Sequence, residues 1–243
     1  MEVSLIQALA DVRTRLGQRG FNLTGIVDSR RFDAEVPGGR RLGEILPGAR
    51  SAMVIAAGGR ALWEAITEER RKRGEETGAA TDPIDQFSEK TIHEEVAWLR
   101  SFFPDSRFVA TFPFKEAQKP LSYLSLAERA GLGTTDTVLR LLLHPVYGPW
   151  VSLRGCLITN LVLPVSQPLF EFRPCEGCER PCLTPCPVMA LTPEGWDHAA
   201  CMGHRTAGPN CLEGCAPRLA CPVGQKHACG PEEMRHRQLA ALP

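Results

Sequence analysis

Cysteine is concentrated in one part of this chain. Eight of the ten cysteines lie between Cys175 and Cys221, and the first 155 residues contain none. Thiols at such density bind zinc or iron–sulfur clusters in a reducing compartment and form disulfides in an oxidising one. Because the composition changes near residue 170, we expect two domains, over 1–170 and 171–243.

The spacing of these thiols favours iron–sulfur ligation. Bacterial two-cluster ferredoxins use C-x2-C-x2-C-x3-C-P, in which the fourth cysteine binds the other cluster. Here the middle gap is three residues instead of two, so the loop must absorb one extra residue, Pro181. The run is Cys175-Glu-Gly-Cys178-Glu-Arg-Pro-Cys182-Leu-Thr-Pro-Cys186-Pro187, followed by Cys201, Cys211, Cys215 and Cys221-Pro222. Eight clustered cysteines equal two sets of four, and we expect two [4Fe–4S] clusters.

Two alternatives use the same thiols. Two four-cysteine zinc sites are possible, since Cys175-x2-Cys178 alone is a common zinc half-site. A zinc ribbon, however, separates its two C-x2-C pairs by a longer hairpin than this run allows. A disulfide framework lacks the secretory signal that such frameworks accompany.

The first part of the chain alternates helical and strand patterns, which predicts an α/β (α+β) fold. Apolar spacing predicts helices over 3–18, 86–102 and 121–130, the last stopped by Gly131 and Gly133. Short apolar runs predict strands over 21–27, 51–57 and 107–112. The charged segment 67–80 is expected to be a solvated helix end and loop. Residues 139–143 and 151–163 are predicted to form a β-hairpin around Gly148 and Pro149.

Composition and missing motifs exclude several functions. The 28 basic residues balance the 28 acidic ones, so we expect neither nucleic-acid nor membrane binding through bulk charge. No apolar run has membrane-spanning length, and Glu2 and Asp11 stand where a signal peptide is basic and then apolar, so a cytoplasmic location is expected. Walker, GxGxxG, HExxH and Gly-x-Ser-x-Gly motifs are absent.

Two segments resemble known corrinoid enzymes. DHAACMGHRT (197–206), between the two Cys-Pro motifs, resembles the cluster domain of epoxyqueuosine reductases and corrinoid reductive dehalogenases. The resemblance implies that Cys201 is a cluster ligand. LAERAGLG (126–133) and LRLLLHPVYGPWVSLRGCLITN (139–160) are similar to the segments around their corrinoid, and imply a nitroreductase-like corrinoid-binding domain followed by a ferredoxin-like domain.

The first domain also resembles the cobalamin-C type trafficking proteins, which decyanate and dealkylate cobalamins. The shared segments are TDPIDQ (81–86), KEAQKPLSYLSLAERAG (115–131) and HPVYGPWVSLRG (144–155). The resemblance implies cobalamin as a ligand and a thiol as a cosubstrate. The residues expected to contact the corrinoid are His144, Tyr147, Gly148, Trp150, Arg154 and Gly155.

Each of these residues also has a structural interpretation. Gly148 and Gly155 permit close backbone approach to a ring, and Trp150 offers an aromatic wall. Arg154 either binds an anionic ligand or thiol cosubstrate, or pairs with a neighbouring carboxylate, and His144 either lines the site or supports a turn. Asp82 and Asp85 either cap the helix near Gln86 or bind ligand.

One departure from the epoxyqueuosine reductases concerns catalysis. Those enzymes carry an acidic proton donor at the end of the strand before the LAERAGLG-like helix, whereas the matching residues here, Ala110-Thr111-Phe112-Pro113, include no acid. This weakens the transfer-RNA reductase hypothesis. The tyrosine of the dehalogenases is not assignable to Tyr123 or Tyr147, so the catalytic residues are unknown.

The Cys-Pro geometry predicts which thiols share a cluster. Three thiols on one short loop reach one cubane, while the proline after a fourth turns it toward the other cluster. The first cluster is expected on Cys175, Cys178, Cys182 and Cys221. The second is expected on Cys186, Cys201, Cys211 and Cys215.

Together these patterns predict an iron–sulfur oxidoreductase that delivers electrons to a corrinoid in cobalamin reduction or processing. Its partners are expected to be the corrinoid and either an electron-donor protein or a thiol cosubstrate. The alternatives are a corrinoid-dependent reductase of an organic substrate, a ferredoxin-type electron carrier without corrinoid, and a zinc-stapled binding module.

Overall fold

The computed structural model describes residues 4–74, 82–115 and 121–242. The chain divides into two compact units. The first unit comprises Met1–Leu132 and Ser152–Pro168, and the second comprises Gly133–Val151 and Leu169–Pro243. Segment 133–151, which the sequence analysis assigns to the first domain, therefore belongs to the second unit.

The first unit is built on a four-stranded sheet. Strand order is β1-β2-β4-β3, with β1 antiparallel to β2 and β3 antiparallel to β4. The strands are β1 (Leu23–Asp28), β2 (Ser51–Gly58), β3 (Phe108–Thr111) and β4 (Val151–Thr159). The helices are α1 (Leu5–Gln18), α2 (Ser29–Glu35), α3 (Leu42–Ile45), α4 (Ala61–Arg73), α5 (Pro83–Phe102) and α6 (Tyr123–Arg129).

Apolar patterning explains these elements. Strand β2 is buried at every position, as its unbroken apolar run predicts. The buried residues of α1 recur at helical spacing: Ala8, Leu9, Val12 and Leu16. Helix α5 starts where the Asp82 carboxylate accepts a hydrogen bond from the Ile84 N–H at 2.8 Å and Pro83 fills the first turn.

The mixed α/β class is confirmed. The predicted helices correspond to α1, α5 and α6, and the predicted strands to β1, β2 and β3, with ends displaced by a few residues. Helix α4 carries the charged segment to Arg73, and residues 75–80 of the predicted loop lie outside the described residues.

The predicted hairpin between 139–143 and 151–163 is wrong. Strand β4 is bonded to β2 and β3, so its edges have other partners. The segment before it makes two short bridges, Thr134 to Leu143 and His144 to Gly148. Arg140, at φ 55°, bends the chain where the hairpin's first strand should run straight.

The second unit contains short elements separated by irregular loops. Its helices are α7 (His198–Thr206), α8 (Ala216–Leu219) and α9 (Pro231–Ala240), with 3₁₀ turns at Pro181–Leu183 and Gln225–His227. One hydrophobic cluster joins Val138, Cys182 and Leu191. Within the described ranges, no helix is both long enough and apolar enough to cross a membrane.

Candidate functional site

Four cysteines line a small cavity of about 20 Å³ in the second unit, which we call the first cage. Leu139, Leu143 and Val223 also line it and make its wall partly apolar. Cys182 and Cys221 are buried, while the other two thiols are half-buried. The cysteines of the first cage are Cys175, Cys178, Cys182 and Cys221.

The extra residue in the cysteine run is absorbed by a left-handed backbone conformation. Arg180 lies at φ 57° and ψ 49°, and the 3₁₀ turn Pro181–Leu183 follows it directly. The Arg180 N–H turns back and donates a hydrogen bond to Cys178 Sγ at 3.4 Å. The longer gap therefore keeps the three thiols of the loop around one cavity.

The remaining four clustered cysteines line a second cavity of the same unit, which we call the second cage. The cavity measures about 330 Å³ and is wider than the first. Its thiols come from separate elements: the loop before Pro187, helix α7, a residue at φ 59°, and the cap of α8. The cysteines of the second cage are Cys186, Cys201, Cys211 and Cys215.

Backbone N–H groups point at thiols in both cages. In the second cage, the Ala190 N–H donates to Cys186 Sγ at 3.4 Å. In the first cage, the Arg180 N–H donates to Cys178 Sγ at the same distance. Hydrogen bonds to sulfur stabilise thiolates and tune iron–sulfur centres, so this donor set fits such a group.

The pKa values of the buried thiols report the same grouping. Burial raises the pKa of Cys182, and the neighbouring Cys221, Cys175 and Cys178 raise it further. Burial also raises the pKa of Cys211, and Cys201 and Cys186 add to the rise. Metal ligands bind as thiolates, so a metal must displace these protons.

The described part of the chain shows no ready-made site for a single metal ion. No group of three or more His, Cys, Asp or Glu side chains there is arranged to hold one metal ion.

Arg154 lies in the first unit and has a carboxylate partner. It forms an ion pair with Asp85 of α5, and its Nε donates to Ser88 Oγ at 3.1 Å. Its guanidinium carbon lies 4.9 Å from the centre of the Phe114 ring. Of the two interpretations, pairing with a neighbouring carboxylate is therefore the one observed, and Asp82 rather than Asp85 caps the helix.

The two glycines predicted to approach a ring instead lie against protein atoms. A Cβ on Gly155 would lie 2.6 Å from Ile92 Cδ1 in the first unit. A Cβ on Gly148 would lie 1.9 Å from the Val223 carbonyl oxygen in the second, and Gly148 is also at φ 55°. Close packing of the protein against itself explains both glycines.

His144, Tyr147 and Trp150 lie in the second unit. His144 Nδ1 accepts hydrogen bonds from the N–H groups of Val146 and Tyr147, at 3.0 and 3.3 Å, which is the turn-supporting role. The Tyr147 ring lies 4.7 Å from that of His227. Burial, followed by the charge of His227, lowers the pKa of His144. The Trp150 indole nitrogen is buried without a hydrogen-bond partner in the described structure.

Arg218 is a site residue that the sequence analysis missed. Arg218 lines the second cage together with the four cysteines. Its position three residues after Cys215 and three before Cys221 was the available signal, since a residue held between two ligands is close to both.

Comparisons with known proteins give structural matches. No family model and no curated protein matches the sequence. An epoxyqueuosine reductase solved with an epoxyqueuosine-modified tRNA stem loop is similar over 99% of this chain and 72% of its own, at a TM-score of 0.67 and 19% identity. The C. elegans B12-trafficking protein CblC is similar over 96% and 92%, at a TM-score of 0.54 and 14% identity.

A third match is the catabolic reductive dehalogenase NpRdhA, at a TM-score of 0.55 and 17% identity, over 95% of this chain but 33% of its own. The families that the sequence resembles are thus all among the structural matches. At these identities the likeness establishes the fold.

Proposed function

We propose that this chain is an iron–sulfur redox protein that binds a corrinoid and delivers electrons to it, in cobalamin reduction or processing. The observation that carries the proposal is the grouping of eight cysteines into two four-thiol cages. The backbone N–H donors aimed at sulfur in both cages support iron–sulfur groups over isolated thiols.

The two cages have defined roles in this proposal. The first cage holds one [4Fe–4S] cluster and the second cage holds another, with Cys186 and Cys221 each crossing from one cysteine run to the other set. When bound, such clusters supply single electrons at potentials that their surroundings set. The chain contributes the thiolates, the N–H donors and the apolar walls that keep water from the sulfurs.

The corrinoid assignment is supported by likeness in fold to three kinds of protein, of which one is a B12-trafficking protein and another is a reductive dehalogenase with B12-dependent dehalogenation. In the second unit, the buried and unpartnered Trp150 Nε1 is a donor suited to an amide oxygen such as those on a corrin ring. In the first unit, the Arg154 guanidinium pairs with the half-buried Asp85 carboxylate, so a ligand would share this cation with Asp85.

The chain's domains, partners and location follow from the same proposal. By resemblance we assign a cobalamin-C type domain to residues 1–170 and an epoxyqueuosine reductase-like cluster domain to 171–243, with segment 133–151 of the first domain packed in the second compact unit. The electron donor is a protein or a thiol cosubstrate. The cytoplasm suits cysteines that must remain reduced before they bind metal.

Titration with cob(II)alamin tests the corrinoid half of the proposal. Anaerobically prepared protein in micromolar excess should displace the lower base and shift the visible spectrum. Arg154→Ala should weaken this binding or its thiol-dependent chemistry. A change of less than about twofold, ~0.4 kcal/mol, assigns Arg154 a structural role, and an unchanged cobalamin spectrum with the wild-type protein contradicts corrinoid binding.

A second candidate is a corrinoid-dependent reductase of an organic substrate. The TM-score of 0.67 to an epoxyqueuosine reductase favours it over the B12-trafficking match at 0.54. Against it, the segment from Ala110 to Pro113 carries no acid, and Thr111 Oγ1 instead accepts a hydrogen bond from the Tyr123 hydroxyl at 2.9 Å. Turnover of epoxyqueuosine-modified tRNA with catalytic cobalamin would support this candidate.

A further inference from the structure

We propose that Arg218 is a positioning residue for the second cage, where its positive charge raises the reduction potential of the group that the four thiolates hold. This inference rests on the proposed function, because it requires an iron–sulfur cluster in that cage. It concerns a residue outside the set of ligands that the cysteine pattern predicts.

Local structure brings Arg218 to the cage. Cys215 is the residue that caps α8, and Arg218 lies one turn later in that helix. Arg218 lines the same cavity as Cys186, Cys201 and Cys211. The residue thus brings a positive charge to one thiol set.

Contacts with Pro149 and Trp150 hold the guanidinium in place. The Arg218 Nη2 donates to the Pro149 carbonyl oxygen at 2.7 Å, and the guanidinium carbon Cζ lies 4.5 Å from the centre of the Trp150 ring. Its Nε is buried and has no hydrogen-bond partner in the described structure. An N–H group in this state is costly unless a ligand accepts from it.

No carboxylate among the described residues forms an ion pair with Arg218. Glu233, the carboxylate whose charge acts on Arg218, is 1% exposed and pairs with Arg237, whose Nε lies 2.9 Å from Glu233 Oε1. Burial lowers the pKa of Arg218, whereas the charges of Cys229, Cys215 and Glu233 act in the opposite direction. Thiolates bound in the cage supply the counter-charge that this buried cation otherwise lacks.

Charge at this position changes the balance between redox states. One-electron reduction adds negative charge to a group that four thiolates already make negative, and a nearby cation in low dielectric favours the reduced form. Removing the charge should therefore lower the potential of the second cage's cluster. The first cage, which Arg218 does not line, serves as an internal reference.

The test is an anaerobic redox titration, followed by electron paramagnetic resonance, of holoprotein carrying Arg218→Met or Arg218→Lys. With methionine, the ratio of reduced to oxidised cluster at the wild-type midpoint should fall about tenfold, ~59 mV for a one-electron couple. Only one of the two midpoints should move. Arg218→Lys should keep the midpoint close to the wild-type value, because lysine keeps the positive charge.

Arg140→Met is the matched control. Arg140 lines the same cavity, but it is exposed and its charge is screened by water. In Arg140→Met, the ratio of reduced to oxidised cluster at the wild-type midpoint should change by less than about twofold, as expected for a screened charge.

The outcomes separate this inference from the proposed function. If Arg218→Met retains the wild-type iron and sulfide content with both midpoints unchanged, the charge of Arg218 does not set the reduction potential. The same conclusion follows if Arg218→Lys shifts the midpoint as far as Arg218→Met does. In both cases the two-cluster assignment is unaffected. If Arg218→Met loses the cluster while Arg218→Lys keeps both the cluster and its wild-type midpoint, the positive charge at position 218 is confirmed as the cause of the difference between the two variants. Wild-type protein without iron and sulfide overturns the proposed function itself, and the inference with it.

Discussion

The two units differ in what can hold them together. The first unit has a continuous hydrophobic core of 20 buried residues that joins helices α1, α4 and α5 to the sheet. A hydrophobic cluster of the second unit contains three buried residues, and one of these is the predicted ligand Cys182. Apolar burial therefore explains the stability of the first unit, whereas the proposed function assigns the stability of the second to metal cross-links between its loops.

Buried polar groups differ in kind between the units. In the first unit, Glu95 is 2% exposed and pairs with Arg15 at 2.8 Å, and the described buried side-chain atoms without a hydrogen-bond partner are the hydroxyl oxygens of Ser29 and Thr91. In the second unit, the buried side-chain atoms without a hydrogen-bond partner in the described structure belong to Trp150, Arg218, His227 and Glu233. A charged group without a partner costs more than a hydroxyl without one, so the contrast directs attention to the second unit.

Removal of the bound metal should have the largest effect, and it should act on one unit. We expect chelation under oxidising conditions to lower the opening free energy of the second unit by about 3 kcal/mol or more, because metal binding supplies its folding energy. The first unit should change by less than about 0.5 kcal/mol. Hydrogen exchange read separately over 23–58 and 198–240 measures both. An equal decrease in opening free energy in the two segments would contradict the expectation that the two units are stabilised independently.

Single cysteine substitutions should sharpen the contrast between the cages. Cys186→Ala should remove the group held by the second cage and spare the first, and Cys221→Ala should do the reverse, since each thiol lines one cavity only. About four irons should remain in either variant.

The control for this experiment is Cys156→Ala, because Cys156 is buried in β4 outside both cages. It should keep the full iron content. Loss of the first cage's group in Cys186→Ala, with the second cage's group retained, would reverse the proposed ligation.

The first unit offers a smaller test through its buried ion pair. Arg154→Ala leaves Asp85 without its partner, and hydrogen bonds to charged groups contribute about 2 kcal/mol. Urea denaturation of the first unit should report this loss. A double-mutant cycle with Asp85→Asn should give a coupling above about 0.5 kcal/mol, and additive effects would show that the pair does not stabilise the fold.

The smallest expected effect is a pH dependence in the second unit. The folded state lowers the pKa of His144, so the unfolded chain binds the proton first and stability falls as pH drops below the unfolded pKa of about 6.5. Protonation also removes the acceptor for the Val146 and Tyr147 amides. Exchange of these two amides should speed up between pH 7 and 5 beyond its intrinsic change. His144→Asn, which retains an acceptor without titrating there, should abolish this dependence.

The predictability of the fold from sequence also differs between the units. In the first unit, apolar periodicity is a local property, so α1 and β2 could be located from the residues alone. The hairpin at 139–163 could not, because its failure depends on β4 pairing with β2 and β3, which are distant in sequence. The apolar residues of segment 139–163 are compatible with pairing to several different strands, so their pattern does not select one.

In the second unit, spacing predicted which residue types could hold metal, and the Cys-Pro motifs suggested how they are divided. Spacing could not predict that Arg180 turns left-handed to absorb the extra residue. Nor could it predict that Arg218 lies against Trp150, because this contact joins segments 68 residues apart and depends on tertiary packing.

Metal and sulfide analysis of anaerobically purified protein tests the central claim most directly. Two [4Fe–4S] clusters predict about eight irons and about eight acid-labile sulfides per chain, with negligible zinc. Four irons or fewer after reconstitution would contradict the two-cluster assignment. About two zinc ions without sulfide would show that the cages are zinc sites and that the second unit is a stapled binding module.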